Sequence, residues 1–171
     1  WTLGCPKNTV DSEQLASALV SRGISMSEDM AEADVVIVNT CAFIQDAVDE
    51  SLTAIFKIAE KGKRIVVCGC LPGRYPEALA EKLPEVEAFF QPYDTEGILS
   101  FLTGTKRKID HHRLLSTPQS YAYLKIADGC DRQCSYCVIP EIKGAQRSEP
   151  VDKLVRQTKS LVGEGVREFI L

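Results

Sequence analysis

The sequence has no apolar run long enough to cross a bilayer and no excess of positive charge. Its longest nearly apolar stretch, residues 33–44, is interrupted by Asp34 and Asn39, whereas a spanning helix needs about 20 consecutive apolar residues. Its 20 Lys and Arg against 24 Asp and Glu give a net charge of -4 and a pI near 5.3. We therefore expect no membrane role and no nucleic-acid binding by bulk electrostatics, although a local basic patch is compatible with an RNA partner.

The sequence also shows no Ser/His/Asp constellation, no paired carboxylates placed for acid–base catalysis, and no secretory signal. With 171 residues and 44% hydrophobic side chains, it can bury a core without disulfide staples. It opens on Trp1 without a methionine and stops at Leu171 within a strand-like run. We therefore expect a fragment of a longer cytoplasmic protein, with residues missing before Trp1.

Cys130, Cys134 and Cys137 form a C-x3-C-x2-C run. Thiolates hold iron–sulfur clusters, and most clusters take four of them. A loop with three leaves one iron free to bind a substrate or cofactor, which favours catalysis over electron storage. The alternatives are a structural zinc site and a disulfide pair. Zinc usually takes four ligands in two separated pairs, and disulfides are typical of small secreted domains.

The chain before this run alternates strand-like and helix-like segments. We predict strands at 1–4, 34–39, 64–68 and 86–90, and helices at 11–22, 45–61, 75–83 and 95–102. Continuous β-branched runs are typical of strands covered on both faces, and helical spacing of apolar residues indicates the helices. The pattern predicts an α/β fold with a parallel sheet and helices on both sides.

The last 50 residues repeat the alternation. We predict a strand at 121–127, the cysteine loop, a helix at 151–162 and a strand at 166–171. A strand–loop–helix–strand series is typical of the opening of a β/α barrel, whose reactive loops gather at one end.

Three further cysteines, Cys5, Cys41 and Cys70, each follow a predicted strand. The carboxyl ends of parallel strands lie along one edge of the sheet, where open α/β folds bind ligands. We therefore expect these thiols to converge; the alternative is that each is a small buried residue at a strand end. Cys68 lies within its strand and is predicted to be a core residue. If the strand ends later than predicted, Cys68 takes the place of Cys70 among the converging thiols, since residues two apart along a strand point the same way.

Residues 104–120 are predicted to be a linker, because they are polar and basic and contain Pro118. Adjacent His111 and His112 raise the alternative of a metal site, but neighbours on an extended chain point to opposite faces. We expect the basic run 104–113 to be a solvated tether, with contact to RNA as the alternative.

The loop at 128–140, including Tyr136 before the last cysteine, resembles that of the radical S-adenosylmethionine (SAM) enzymes. The resemblance becomes specific when four further segments are considered together with this loop. They are Leu-Gly-Cys-Pro-Lys-Asn at 3–8, Asp-Ser-Glu at 11–13, Asn-Thr-Cys-Ala-Phe-Ile at 39–44 and Gly-Cys-Leu at 69–71. Together these segments resemble the methylthiotransferases, which are radical SAM enzymes with an additional amino-terminal domain. The match spans the whole chain.

This resemblance implies two 4Fe-4S clusters and SAM as cofactors. In the family, the cluster corresponding to Cys130, Cys134 and Cys137 binds and cleaves SAM, and the residue at Tyr136 lies against its adenine. An auxiliary cluster corresponding to Cys5, Cys41 and Cys70 carries the methylthio group. The resemblance also implies an electron-donor protein. It divides the chain into an amino-terminal methylthiotransferase domain at 1–103, the linker at 104–120 and a truncated radical SAM domain at 121–171.

Within the family, the segments at 4–8 and 139–148 resemble the RimO-type enzymes, which modify an aspartate of a small-subunit ribosomal protein. A tRNA-adenosine methylthiotransferase is the alternative within the family, and a non-catalytic iron–sulfur electron carrier is the alternative outside it. The sequence departs from the family in two ways. Glu149 stands where a basic residue is expected, and the chain ends before the later barrel strands and any RNA-binding TRAM domain.

Overall fold

The computed structural model describes residues 1–104 and 113–171, and its largest sheet has three parallel strands. These are β1 (Val35–Thr40), β2 (Arg64–Gly69) and β3 (Val86–Phe90), side by side in that order. The amino-terminal segment continues the sheet beyond β1, because Thr2 makes a parallel bridge to Asn39. The predicted parallel α/β sheet is confirmed for this part of the chain.

Helices cover both faces of this sheet. On one face lie α1 (Pro6–Val20) and α5 (Thr95–Thr103), which bury Leu15, Leu19 and Leu99 against the strands. The other face carries α2 (Gln45–Ala59), α3 (Cys70–Arg74) and α4 (Leu79–Lys82). Strands enclosed in this way have no polar face, which explains why their sequences are continuous apolar runs rather than alternating ones.

Helix α1 begins five residues earlier than the sequence predicts. Pro6 occupies its first turn, where the missing N–H would have no helical partner in any case. The helix therefore starts directly after Cys5, which is its N-cap residue. This placement puts Cys5 at the positive end of a 15-residue helix.

The predicted helix at 75–83 is only partly confirmed: α4 (Leu79–Lys82) lies within it, but residues 75–78 are not helical. The structure has α3 directly after β2 and α4 further on, separated by an irregular segment. Tyr75, with φ -131° and ψ 52°, ends α3. Pro76 explains the break, since the residue before a proline is pushed out of the helical region. Cys70 thus begins a helix rather than lying in a turn.

The segment at 121–127, predicted as one strand, contributes to two small sheets instead. β4 (Tyr121–Tyr123) pairs in parallel with β7 (Glu168–Ile170), and β5 (Ala127–Asp128) pairs antiparallel with β6 (Arg147–Ser148). Helix α6 (Ile139–Lys143) follows the cysteine loop, and α7 (Val151–Gly163) connects β6 to β7. The predicted helix and final strand are present, whereas α6 and β6 were not predicted.

Most of the predicted linker, including His111 and His112, lies outside the described residues. Arg113 is described and corrects the expectation of a solvated tether, because its side chain is fully buried and ion-paired with Glu13. Among the helices of the two described ranges, none combines the length and apolar character needed to traverse a membrane.

Candidate metal-cluster sites

Cys5, Cys41 and Cys70 lie at the carboxyl edge of the parallel sheet. Cys41 directly follows β1, Cys70 directly follows β2, and Cys5 follows the segment that pairs with β1. Cys41 and Cys70 are buried, Cys5 is exposed, and all three are free thiols. The topology therefore brings residues separated by up to 65 positions to neighbouring points on one edge.

Close contacts link the three cysteine-bearing turns. Gly4 lies so near Cys41 that a Cβ added to it would stand 2.8 Å from the Cys41 Sγ atom. Burial raises the pKa of the Cys70 thiol, the Lys143 ammonium opposes this, and negative charge on Cys41 and Cys5 raises the pKa further. The Ala42 backbone also hydrogen-bonds the Cys70 sulfur. Cys5 and Cys41 are thus near enough to Cys70 to affect the pKa of its thiol.

Asn8 holds the first two turns together from inside the protein. Its fully buried side chain donates to the carbonyl oxygens of Leu3 and Thr40, each at 2.9 Å. Asn39 in turn donates to the Asn8 carbonyl at 3.0 Å. Because buried donors and acceptors are costly to leave unpaired, this network restricts the positions of the turns that carry Cys5 and Cys41.

Two hydroxyl groups, from Ser51 and Thr40, fix the backbone around Cys41 and Cys70. Ser51 of α2 is fully buried; its hydroxyl accepts from the Cys41 amide at 3.1 Å and donates to the Cys41 carbonyl at 2.8 Å. The Thr40 hydroxyl donates to the Cys68 carbonyl at 2.6 Å and accepts from the Leu71 amide at 3.1 Å. The backbone on both sides of Cys70 is therefore tied to the end of β1.

Cys68 faces away from these thiols. It packs with Leu15 and Leu99 beneath α1 and α5, whereas Cys70 belongs to the hydrophobic cluster of the opposite sheet face. Gly69 lies between Cys68 and Cys70 in the sequence, and its positive φ of 92° interrupts the strand conformation between them. Burial raises the pKa of the Cys68 thiol to about 12. This packing agrees with the prediction that Cys68 is a core residue.

The second set of cysteines lies in the loop between β5 and α6. Cys130 and Cys137 are half-buried and Cys134 is exposed. The Arg132 amide points at the Cys130 Sγ atom at 3.4 Å, and backbone donors to sulfur are one of the factors that tune iron–sulfur centres. Tyr136 is 89% exposed, so its ring is open to a ligand.

Neither set is arranged like the ligands of one metal ion. Within residues 1–104 and 113–171, no group of three His, Cys, Asp or Glu side chains is arranged to hold a metal ion. A single zinc draws its thiolates to about 2.3 Å from one centre. An iron–sulfur cluster distributes its thiolates over several irons, so its ligands lie further apart than those of a single ion.

A charged group centred on Tyr93 lies between the two sets and was not predicted. Tyr93 has a left-handed backbone, with φ 74°. Its ring is approached by Lys125 and Lys143, each 5.0 Å from the centroid, and by Arg147 at 4.6 Å. Such cation–π contacts are favourable when they are desolvated. The segments that meet here are far apart in sequence, and no local pattern indicates the contact.

Lys143 of α6 is the buried cation of this group. Burial lowers the pKa of Lys143, yet negative charge on Cys70, Asp11 and Asp128 outweighs it, and the net shift is upward. The ammonium therefore stays charged beside the first set of cysteines, where it offsets negative charge that thiolates would bring.

The amino-terminal half of the chain matches a known family. The profile of the family described as "Uncharacterized protein family UPF0004" matches residues 1–91. The chain belongs to this family. The family match includes Cys5, Cys41 and Cys70 and ends before the C-x3-C-x2-C run.

Relatives extend the similarity across the second set of cysteines. A protein of Aquifex aeolicus named ribosomal protein uS12 methylthiotransferase RimO is 48% identical over 168 residues, covering 98% of this chain and 39% of the relative. Relatives of the same name from Sorangium cellulosum and Prosthecochloris aestuarii are each 44% identical, over 99% and 98% of this chain and 38% and 40% of the relatives. The chain spans about two fifths of the length of these curated relatives.

Proposed function

We propose that this chain is the amino-terminal part of a radical SAM methylthiotransferase of the RimO type. The complete protein adds a methylthio group to the β-carbon of an aspartate in a small-subunit ribosomal protein. One observation carries the proposal: two separate sets of three free cysteines are borne by segments that pack on each other, in a chain 48% identical to a relative named uS12 methylthiotransferase. An electron carrier with one iron–sulfur cluster does not need a second set of three cysteines.

The division of labour follows the sequence. Residues 1–103 form the domain that holds the auxiliary cluster, 104–120 connect it, and 121–171 begin the radical SAM domain. The parallel pair β4 and β7, joined through α7, supports this reading because parallel strands with an intervening helix are the repeating unit of a β/α barrel.

The residues present fit two 4Fe-4S clusters. Cys5, Cys41 and Cys70 are free thiols at one edge of the parallel sheet, and cysteine sulfurs are the ligands that hold such clusters. Cys130 receives a backbone N–H. When bound, the cluster on Cys130, Cys134 and Cys137 supplies the electron for SAM cleavage, and the cluster on Cys5, Cys41 and Cys70 supplies the site for the methylthio group.

The protein's own contribution is to bind, orient and shield. Buried Cys41 and Cys70 keep the inner side of the first set away from water, and Lys143 places a positive charge beside it. Exposed Tyr136, next to Cys137, is available to stack on the SAM adenine. Holding reacting groups in one geometry is the part of such a reaction that a protein supplies around its cofactors.

The proposal names two partners. The substrate is a small-subunit ribosomal protein, and a reducing protein delivers electrons to the clusters. Because ribosomes are assembled in the cytoplasm, the proposed activity assigns the protein to that compartment.

The deciding experiment counts iron and sulfide in the anaerobically reconstituted full-length protein. Two 4Fe-4S clusters give about eight irons per chain, and Cys5→Ala, Cys41→Ala or Cys70→Ala should each reduce this to about four. Cys68→Ala is the matched control, since that cysteine faces the opposite core, and it should retain about eight. SAM should perturb the spectrum of the cluster that remains in the triad variants.

Product analysis then separates the alternatives. Methylthioaspartate in the ribosomal protein supports the proposal, methylthioadenosine in tRNA identifies the tRNA-modifying branch instead, and two clusters with no response to SAM identify an electron carrier. A count of four irons in the wild-type protein, unchanged in all three triad variants, contradicts the auxiliary cluster.

A further inference from the structure

Helices α3 and α6 pack directly on each other, and each is attached to one set of cysteines. Cys70 is the first residue of α3, and α6 begins two residues after Cys137. Ile142 of α6 is buried in the hydrophobic cluster beneath the large sheet, together with Leu71. The second half of the chain thus inserts a side chain into the core of the first half at the point where the cysteine sites approach.

Gly73 sets how close the two helices come. A Cβ added to this residue would lie 2.8 Å from the Ile142 carbonyl oxygen and 3.1 Å from the Pro92 Cγ atom. The first of these neighbours is backbone, which cannot swing aside as a flexible side chain does. Gly73 does not have a positive φ, so the requirement for glycine here comes from the close approach and not from backbone conformation.

Backbone contacts also hold the carboxyl-terminal end of α6 against the loop that carries Cys130. The Cys130 amide donates to the Gly144 carbonyl at 3.1 Å. Gly129 lies against Ala145, whose carbonyl oxygen is 2.2 Å from the position of an added Cβ. A short backbone path therefore runs from Cys70 through the contact of Gly73 with Ile142 to Cys130.

We propose that Gly73 is a positioning residue that sets the separation of the two cysteine sites. This inference rests on the proposed function, because the separation matters when both sites hold clusters. A side chain at residue 73 wedges α3 away from α6 and moves Cys70 relative to Cys130, while each set keeps its own local contacts. Both clusters then assemble, SAM is still cleaved, and transfer to the substrate fails.

The test uses Gly73→Ala in the full-length reconstituted protein. Three quantities are measured: iron per chain, the magnetic interaction between the two reduced clusters by electron paramagnetic resonance, and the ratio of methylthiolated product to 5'-deoxyadenosine. Iron content should stay at the wild-type level, the magnetic interaction should change, and the ratio should fall on the order of 10–100-fold, the effect expected of a displacement of about 1 Å.

Gly163→Ala is the matched control, because an added Cβ there meets nothing within 4 Å. It should leave all three quantities at wild-type values. Ile142→Val provides a second variant, which shortens by one methylene the α6 side chain that is buried together with Leu71 of α3. It leaves the Ile142 carbonyl that faces Gly73 in place, and it should lower the ratio by a smaller factor.

The outcomes are distinct. An unchanged ratio in Gly73→Ala overturns the inference, and so does a parallel loss of product and 5'-deoxyadenosine, which indicates general damage. If Gly73→Ala loses iron, Ile142→Val decides: a lowered ratio with full iron supports the role and an unchanged ratio overturns it. A wild-type protein without two clusters or without product contradicts the proposed function instead.

Discussion

Glu13 of α1 and Arg113, one hundred positions later, form an ion pair that is buried on both sides. The Glu13 carboxylate also accepts from the Ser116 amide and hydroxyl, each at 2.8 Å. Arg113 donates to the Tyr123 carbonyl at 2.6 Å. The pair joins the first helix of the chain to the segment leading into β4, so it holds the two halves together.

Arg113→Met is expected to destabilise the protein strongly. It leaves the Glu13 carboxylate buried without a counter-charge, and loss of one partner of a buried pair costs about 3–5 kcal/mol. Urea unfolding under reducing conditions measures the change. Arg156→Met is the control: its pair with Asp152 is exposed, and exposed pairs contribute little to stability. Equal midpoints for the two variants are incompatible with a stabilising role for the buried pair.

Gly69→Ala is expected to cost more than Gly62→Ala. Both glycines have positive φ, 92° and 65°, so both variants acquire backbone strain of about 1–3 kcal/mol. At Gly69 an added Cβ would also stand 2.3 Å from the Asn39 Oδ1 atom, whereas nothing lies within 4 Å at Gly62. Overpacking adds about 1–3 kcal/mol. Denaturant unfolding of both variants measures the difference, and similar losses would show that the contact is relieved cheaply.

Tyr93 is expected to make the protein less stable as the pH rises above 10. Burial raises the pKa of Tyr93 above its usual 10.0, and its interaction with Asp128 raises it further. Below pH 10 the phenol is neutral in both states and contributes no pH dependence. Above pH 10 the unfolded phenol loses its proton while the folded one retains it, so the free energy of unfolding falls.

Denaturant unfolding between pH 8 and pH 11 measures this slope. Tyr93→Phe should make it less steep above pH 10, because phenylalanine has no proton to lose. The slope that remains includes the contribution of Cys68, whose thiol pKa burial also raises. Tyr136→Phe makes the same chemical change on an exposed ring and should keep the wild-type slope. A wild-type slope in Tyr93→Phe would exclude Tyr93 as its source.

Local patterns in the sequence were enough to predict the large sheet. Runs such as Val35–Thr40 and Arg64–Gly69 are continuous apolar strands, and once they are parallel, Cys41 and Cys70 must follow at one edge. Periodicity also predicted α2 and α5 to within a few residues.

Contacts between distant segments were beyond such patterns. Arg113 lies in a polar, basic stretch that is typical of a linker, and its burial depends on a carboxylate one hundred positions earlier. The splitting of 121–127 depends on separate partners, β7 and β6, that come later in the chain. The burial of Lys143 was not predicted, since nothing in its neighbours along the chain indicates a buried site. Tertiary pairing, rather than propensity, decides each of these cases.

The burial of Ile142 beneath the first sheet also has a consequence for biosynthesis. Domains generally fold from the amino terminus as the chain is made, yet the interior under β1 and β2 is closed by a side chain more than seventy positions after the last residue of β2. A nascent chain that has released only its first hundred residues from the exit tunnel carries an unfilled hydrophobic depression. Translation must proceed past α6 before that depression is sealed.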